Sequence, residues 1–366
     1  MAELLLARES GIGGSERLVV LKRILPHLAE QQSFVDMFLR EARTAARLEH
    51  PNVVRIYASG EHDGSYFIAM EYLEGTTIRE LQLMSRERGI PIPLGVSLAL
   101  IAQSARGLHA AHELRDADGH PLGLVHRDVS PHNLMVTLGG VVKVLDFGVA
   151  KYTEALSEAT YSGDMKGKFG YMSPEQCHGG RIDRRSDLFS LGIVAWELVA
   201  GADLFHRKTE LEMLKAITEE DAPRARAVNP EVPEAVDALL ARVLSRSPDE
   251  RPLTAREFEQ IVVDSVAALD LDLSAEAVAE CVSSVAGNAL SERRSIVRRA
   301  RDASLPSFER RKLVHRTDPD EKATSVEKRL PGTATQPSGE VATTTTQRGE
   351  DRKRRRAWLV AVVGAG

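Results

Sequence analysis

The stretch HRDVSPHN, residues 126–133, places Asp128 and Asn133 five positions apart in a polar segment. Further along, the motif VLDFG (144–148) puts Asp146 at the end of a predicted strand. Carboxylate and amide oxygens are ligands that Mg²⁺ accepts, and a carboxylate can also orient or deprotonate a hydroxyl group. These motifs therefore predict a site in which Asn133 and Asp146 hold a metal ion and Asp128 acts on an attacking hydroxyl.

A basic and an acidic residue nearer the N-terminus extend this set. The motif VVLK (19–22) ends in Lys22 on a predicted strand, and Glu41 lies in the middle of a predicted helix, where it could pair with Lys22. Phosphoryl transfer from a nucleotide needs a cation on the phosphates, a carboxylate on the metal and a carboxylate near the attacking hydroxyl. The chain supplies each of these groups.

The hydrophobic pattern divides most of the chain into two unequal parts. Residues 1–74 are predicted to be mostly strands, with a turn at Asp63-Gly64 and one helix over 33–50. Residues 75–262 are mostly helical and include an apolar, buried helix over 185–201. This pattern predicts an α+β protein in which a small β-rich lobe and a larger helical lobe enclose a cleft.

Three segments follow the large lobe. Residues 263–303 are predicted to be helical and only weakly tied to the rest, and 304–350 are rich in Thr, Pro, Gly, Ser and charge, which predicts a disordered linker. Residues 291–356 carry 18 Lys and Arg against 10 Asp and Glu, although the whole chain has a net charge of −5. An acidic globular part is therefore joined to a basic tail that ends in the segment 351–366.

The ordered motifs VVLK, FLREA, HPNVV, MEYLEG, HRDVSPHN, VLDFG, YMSPEQ, SDLFSLG and RP resemble those of the serine/threonine protein kinases, in their bacterial eukaryotic-like branch. The resemblance covers residues 1–262 and implies the bilobal protein kinase fold. It implies ATP and Mg²⁺ as cofactors, proteins with Ser or Thr acceptors as substrates, and autophosphorylation, for which a homodimer is expected. A loop that reads HRDVSPHN instead of an AAR-type sequence favours Ser and Thr over Tyr acceptors.

The resemblance also implies roles for residues around the adenine and inside the large lobe. Backbone groups of Glu71 and Leu73 would bind the adenine, with Met70 behind the pocket and Met135 among the nucleotide-binding residues. Three further residues would be structural: Asp187, which braces the catalytic loop from the buried helix, and the ion pair of Glu175 with Arg251.

Arg127 precedes the catalytic aspartate and would have a regulatory role. In the family such an arginine often binds a phosphate on the activation segment, because a guanidinium pairs well with a phosphate group. Four hydroxyl residues of that segment are candidate acceptors: Thr153, Ser157, Thr160 and Ser162. We favour Thr160 or Ser162.

The first departure from the family pattern is Ser130. Related kinases have at this position a lysine that touches the transferring phosphate, and beside it a threonine from a "GT" pair before the PE motif. Here that pair is Gly167-Lys168. Because the chemistry requires a cation at the phosphate and not one particular backbone origin, we predict that Lys168 reaches into the site and replaces the missing lysine.

The second departure concerns the glycine-rich phosphate loop. MAELLLARE (1–9) is similar to the strand that follows that loop in the family, so Gly11–Gly14 are interpreted as turn residues and the loop itself is expected to be missing. Either the start was assigned downstream of the true one, which we favour, or ATP binds without this lid. A functional alternative is a pseudokinase scaffold with impaired ATP binding. The pseudokinase alternative is disfavoured because a protein without catalysis has no chemical need for the complete set of catalytic residues. That set consists of Lys22, Glu41, Asp128, Asn133 and Asp146.

The C-terminus is basic and then apolar. RKRRR (352–356) precedes ten uncharged residues (357–366), and about 20 apolar residues are needed to cross a bilayer. Three interpretations stay open: the cytoplasmic start of a truncated membrane helix, a solvated tail, or a contact with anionic lipid. No nucleic-acid partner is expected. Cys177 and Cys281 lack metal-ligand spacing and are interpreted as ordinary thiols, which favours a reducing, cytoplasmic location. The basic cluster would place the C-terminal segment at the inner face of the membrane.

Overall fold

The computed structural model describes residues 2–10, 16–147, 169–302, 307–308, 312–315 and 357–361. In the small lobe, the elements are strands β1 (Ala2–Ser10), β2 (Glu16–Ile24), β3 (Ile56–His62) and β4 (Ser65–Glu71), with helices α1 (Pro26–Ala29) and α2 (Gln32–Ala45).

These four strands form an antiparallel sheet in the order β1-β2-β4-β3. β1 and β2 pair along their whole length, and β2 places Lys22 opposite Ile68 of β4. The predicted turn between β3 and β4 is confirmed: Asp63 and Gly64 both have positive φ angles, 47° and 72°. Two consecutive residues of this kind give the hairpin turn whose twist matches that of the flanking strands.

Both edges of the sheet are extended by strands from the last part of the chain. β10 (Ala357–Ala361) pairs antiparallel with β1, β8 (Ser307–Phe308) pairs with β10, and β9 (Lys312–His315) pairs with β3. The apolar residues, for which the start of a membrane helix was one of three interpretations, form over Ala357–Ala361 a strand that lies between β8 and β1. Within the described ranges, no helix is long and apolar enough to span a membrane.

The large lobe begins directly after β4. Its elements are β5 (Gly75–Thr77), α3 (Ile78–Arg88), α4 (Leu94–His112), β6 (Leu134–Thr137), β7 (Val142–Val144), α5 (Pro174–Cys177), α6 (Arg184–Ala200), α7 (Glu210–Glu219), α8 (Ala225–Val228), α9 (Glu234–Val243), α10 (Ala255–Ala267) and α11 (Ala275–Asp302). Strands β5, β6 and β7 form a second, three-stranded sheet.

Helix α6 lies at the centre of the large lobe. Every residue from Ser186 to Ala200 is buried, as the apolar run predicted, and α6 shares one hydrophobic core with α4 and the helices around them. The small lobe has two separate, smaller cores, one on each face of its sheet. The α+β, bilobal architecture predicted from the sequence is thereby confirmed.

Two helices differ from their predictions. α2 ends at Ala45 and not near His50, because Leu48 turns away and packs into the core of the large lobe. α11, expected to be weakly tied to the rest, is docked along the large lobe and contributes Val282 and Val285 to the same core with no exposed surface. That expectation was wrong, since the apolar stripe of this helix has a partner surface.

Candidate active site

Asp128 and Asn133 are held together in the loop between α4 and β6. The side-chain amide of Asn133 donates hydrogen bonds to the Asp128 carboxylate Oδ2 (2.8 Å) and to the Asp128 carbonyl (2.7 Å). The Leu145 N–H donates to the Asn133 carbonyl (2.9 Å), which places the residue before Asp146 against this loop. Three residues predicted from two separate motifs thus lie in one place.

Asp187 of α6 fixes this loop from the interior of the lobe. Its carboxylate is 1% exposed and accepts hydrogen bonds from the backbone N–H groups of His126 (2.7 Å) and Arg127 (2.8 Å). The His112 Nε2 lies 2.7 Å from the same carboxylate. Arg127 has a φ angle of 65°, a strained value for a residue with a side chain, and these contacts hold it there.

Asp146 faces the small lobe across the cleft. Its Oδ1 lies 2.8 Å from the Lys22 Nζ on β2, and its φ angle of 47° is again in the left-handed region. The next residue, Phe147, is buried, with its ring centroid 4.7 Å from that of His126. Glu41 lies on α2, but its side chain is outside the described part of the structure, so the predicted pair with Lys22 stays a prediction.

The residues predicted to meet the adenine lie in and beside the segment that joins the two lobes. Met70 and Glu71 end β4, Leu73 follows, and Met135 lies on β6; all four are partly buried. Glu71 is itself fixed, because its carboxylate Oε2 accepts a hydrogen bond from the Lys143 Nζ of β7 (3.0 Å).

Glu175 and Arg251 form the predicted ion pair. Two nitrogens of Arg251 lie 2.8 and 3.0 Å from the two carboxylate oxygens, the arginine side chain has no exposed surface, and its guanidinium lies 4.7 Å from the ring centroid of Phe189. Burial raises the pKa of Glu175, but the hydrogen bonds from Arg251 and Ser186 outweigh it, so the pKa is lowered. The carboxylate is therefore charged at neutral pH.

A further buried acid, Glu197 of α6, is not among the residues predicted from the sequence. Its carboxylate accepts hydrogen bonds from the Tyr171 hydroxyl (2.8 Å) and the Leu204 N–H (3.2 Å). Burial raises its pKa to about 7 despite these two donors, and burial also raises the pKa of Tyr171. The available signal was the single acid in the otherwise apolar run IVAWELVAG.

Several predicted residues fall outside the described ranges. Lys168, Thr160 and Ser162 lie within residues 148–168, as do the other candidate phosphorylation sites. Ser130 is described and is 1% exposed, and its hydroxyl has no hydrogen-bond partner among the described residues.

The donor set in the cleft fits a divalent cation. The NH₂ group of Asn133 is used by Asp128, which leaves the amide oxygen for a ligand, and Asp146 adds carboxylate oxygens beside the Lys22 ammonium. Hard cations such as Mg²⁺ prefer oxygen ligands of this kind. The arrangement can hold a cation next to a phosphate chain, with Asp128 within reach of an acceptor hydroxyl.

Fold and site together define a protein kinase. A model of the protein kinase domain matches residues 12–262, more than half of the chain, and the chain therefore belongs to the protein kinase family. It is 44% identical over 259 residues to the tyrosine-protein kinase MasK of Myxococcus xanthus, covering 70% of this chain and 40% of MasK. It is 33% identical over 259 residues to the serine/threonine-protein kinase PrkC of Bacillus subtilis, covering 70% of this chain and 37% of PrkC.

Among solved structures, the crystal structure of the Mycobacterium tuberculosis PknI kinase domain is similar, with a TM-score of 0.53 and 29% sequence identity over 72% of this chain and 90% of that one. The chain spans about two fifths of the length of the two curated relatives.

Proposed function

We propose that this protein is a serine/threonine kinase that transfers the γ-phosphoryl group of Mg-ATP to protein hydroxyls. The observation that carries the proposal is that Asp128, Asn133 and Asp146 lie together in the large lobe, with Lys22 of the other lobe 2.8 Å from Asp146. In this arrangement a cation, metal ligands and a catalytic carboxylate are available at one point, which is what phosphoryl transfer requires.

Each residue has a separate task in this proposal. Asn133 and Asp146 would hold Mg²⁺, which supplies charge neutralisation on the phosphate oxygens when it is bound. Lys22 would move from Asp146 to the phosphates of ATP, and Asp128 would orient the acceptor hydroxyl and accept its proton. Because Asp128 also accepts from Asn133, its position depends on the metal-binding loop.

The adenine would lie against the segment between the lobes. Backbone groups of Glu71 and Leu73 would bind it, with Met70 behind the pocket and Met135 below the ring. The ion pair of Glu71 with Lys143 supports this placement, because it fixes a residue whose backbone has to meet a ligand.

Transfer activity can be tested on the full chain with labelled ATP, Mg²⁺ and a generic basic protein. The matched control is Asp128→Asn, which keeps the size of the side chain and one acceptor oxygen but removes the base. We expect labelling of the chain and of the substrate, and its loss in the variant. Equal labelling in both proteins would contradict the proposed role of Asp128. No labelling in either protein, together with weak nucleotide binding, would favour the pseudokinase scaffold.

The acceptor amino acid needs a separate test, because relatives of this chain are named for both kinds of acceptor. MasK is named a tyrosine-protein kinase, whereas PrkC is named a serine/threonine-protein kinase. We propose Ser and Thr, on the evidence of the HRDVSPHN loop. Phosphoamino-acid analysis of the labelled chain and substrate decides it: phosphotyrosine as the main product would overturn this choice.

Lys168 is proposed to supply the cation that Ser130 does not. The buried hydroxyl of Ser130 has no partner among the described residues, and no charge reaches the phosphate from this position. Lys168→Thr should lower kcat, and Ser130→Lys/Lys168→Thr should restore part of it. An unchanged kcat in the single variant would refute the exchange.

Regulation is proposed at two further places. Arg127 would bind a phosphate on Thr160 or Ser162. Replacing both hydroxyl residues with alanine should therefore lower activity only in protein that has been allowed to autophosphorylate. The dependence of autophosphorylation on protein concentration, measured by dilution, would show whether a homodimer is needed.

The basic cluster 352–356 would contact anionic lipid at the inner face of the membrane. Sedimentation with phosphatidylserine vesicles, but not phosphatidylcholine vesicles, is the expected result.

A further inference from the structure

The helix α11 lies outside the residues that match the kinase family, yet it is built into the large lobe. Its buried side chains follow the spacing of one helical face: Val278, Val282, Val285, Ala286 and Leu290. None of the five is more than 4% exposed, so this face is packed against the lobe from Val278 to Leu290.

The first part of α11 fits its neighbours closely. A Cβ atom on Gly140, in the turn between β6 and β7, would lie 1.9 Å from the carbonyl oxygen of Ala275, and one on Gly95 would lie 2.6 Å from that of Asp272. Further along, the Arg88 Nη1 at the end of α3 donates to the carbonyl oxygens of Ser284 (3.0 Å) and Val285 (2.7 Å). The position of the helix is therefore set by several independent contacts.

The second half of α11 brings two arginines to the hinge segment (residues 71–77), which joins β4 to α3, and to the first turn of α3. Arg294 forms an ion pair with Glu74 of the hinge segment, and both carboxylate oxygens of Glu80 accept from Arg293, at 2.5 and 3.2 Å. Each basic residue thus faces one acid.

Glu80 connects this contact to the backbone of the hinge segment. It also accepts from the Thr76 hydroxyl (2.8 Å) and from the Thr77 N–H (3.1 Å), which completes the N-terminal cap of α3. Burial raises the pKa of Glu80, but Arg293, Thr76 and Thr77 outweigh it and lower the pKa to about 2. The carboxylate is therefore charged at every pH at which activity would be measured.

We propose that Arg293 and Arg294 are positioning residues for the nucleotide: from a helix beyond the kinase domain, they fix the backbone of the hinge segment that binds the adenine. This inference rests on the proposed function, because it assigns the adenine to that segment. Lys143 holds Glu71 at one end of the hinge segment, and α11 holds Glu74 near its middle and Glu80 just beyond it. Nucleotide affinity then depends on the docking of α11.

A positioning role and a structural role predict different results. The arginine and glutamate side chains of both pairs are between 37% and 61% exposed, so they contribute little to the stability of the fold, which the buried face of α11 provides. Their removal should raise KM for ATP about threefold to tenfold, the range expected for two partly exposed ion pairs, with little change in kcat or in the unfolding midpoint.

The experiment compares four variants of the full chain with the wild type, one of which is Arg294→Glu alone. Arg293→Gln/Arg294→Gln removes both contacts. Arg298→Gln/Arg299→Gln removes the same charge from the same helix at two exposed arginines that pair with no acid among the described residues. Glu74→Arg/Arg294→Glu reverses one pair, and Glu74 suits this exchange because its carboxylate has no second donor among the described side chains.

The readouts are KM and kcat for ATP, together with the Kd of a non-hydrolysable ATP analogue with Mg²⁺. We expect weaker nucleotide binding in Arg293→Gln/Arg294→Gln and wild-type binding in Arg298→Gln/Arg299→Gln. Arg294→Glu alone should also bind nucleotide more weakly, whereas Glu74→Arg/Arg294→Glu should bind it nearly as well as the wild type. Unchanged KM and Kd in Arg293→Gln/Arg294→Gln would overturn the proposal. A wild-type chain that binds the analogue but transfers no phosphate would refute the proposed function alone, and the Kd values would still decide the role of α11.

Discussion

Glu197 offers the most direct test of the electrostatics inside the large lobe. Burial raises its pKa from 4.5 to about 7, even though Tyr171 and the Leu204 N–H donate to the carboxylate. A folded-state pKa above the unfolded value means that the folded protein binds the proton more tightly. This contribution to stability is complete below about pH 4.5 and is lost as the pH rises through 7.

The size of the effect follows from the two pKa values. Linkage gives about 3 kcal/mol between low and high pH, of which about 2 kcal/mol is lost between pH 5.5 and pH 8. Glu197→Gln keeps the shape of the side chain and does not titrate; its one amide oxygen can accept from the Leu204 N–H, and its NH₂ group can donate to the Tyr171 oxygen. The stability of the wild type should therefore fall by about 2 kcal/mol relative to the variant over this pH interval.

The assay is urea unfolding of both proteins at pH 5.5, 6.5, 7.2 and 8, with the free energy of unfolding compared at each pH. All other titrating groups are shared, so their contributions cancel in the difference. A difference between wild type and Glu197→Gln that is constant from pH 5.5 to 8 would refute the reasoning, since it would mean that Glu197 has the same charge over the whole interval.

Two further predictions concern the supports of the site. Arg251→Ala should destabilise the protein by about 3–5 kcal/mol in urea unfolding, because it leaves the Glu175 carboxylate buried and unpaired, whereas Glu175→Gln/Arg251→Met should cost much less. Asp187→Ala should lower kcat about 100-fold with a small change in KM for ATP, because it frees the backbone that holds Asp128; an equal change in both constants would point to a general loss of structure.

The sequence predicted the parts of this protein that depend on local patterns. Alternating and helical spacing gave the strands, the turn at Asp63-Gly64 and the buried helix α6, and the motifs gave the residues that meet in the cleft. These features follow from short-range rules, such as the φ > 0 preference of Asp-Gly turns or the position of a carboxylate after a strand.

The features that were missed depend on contacts between distant segments. The periodicity of α11 showed an apolar face but not the surface that would cover it, and the pairing of Arg293 with Glu80 joins residues more than two hundred positions apart. The same holds for β10: none of the three interpretations of the apolar C-terminus included its pairing with β1. Glu197 was not predicted because the sequence does not show which groups donate hydrogen bonds to its carboxylate. Those donors, Tyr171 and the Leu204 N–H, come from other parts of the chain.

The ion pair between Lys22 and Asp146 has a consequence for the opening of the two lobes. Lys22 and Asp146 join the two lobes by a direct contact of 2.8 Å. In the proposed mechanism, the phosphates of ATP would pair with Lys22 and the metal ion with Asp146, so the two lobes would then be joined through the ligand. Lys22→Met removes the direct ion pair between the lobes. When no nucleotide is present, this variant should therefore show larger interlobe distances in solution scattering than the wild type.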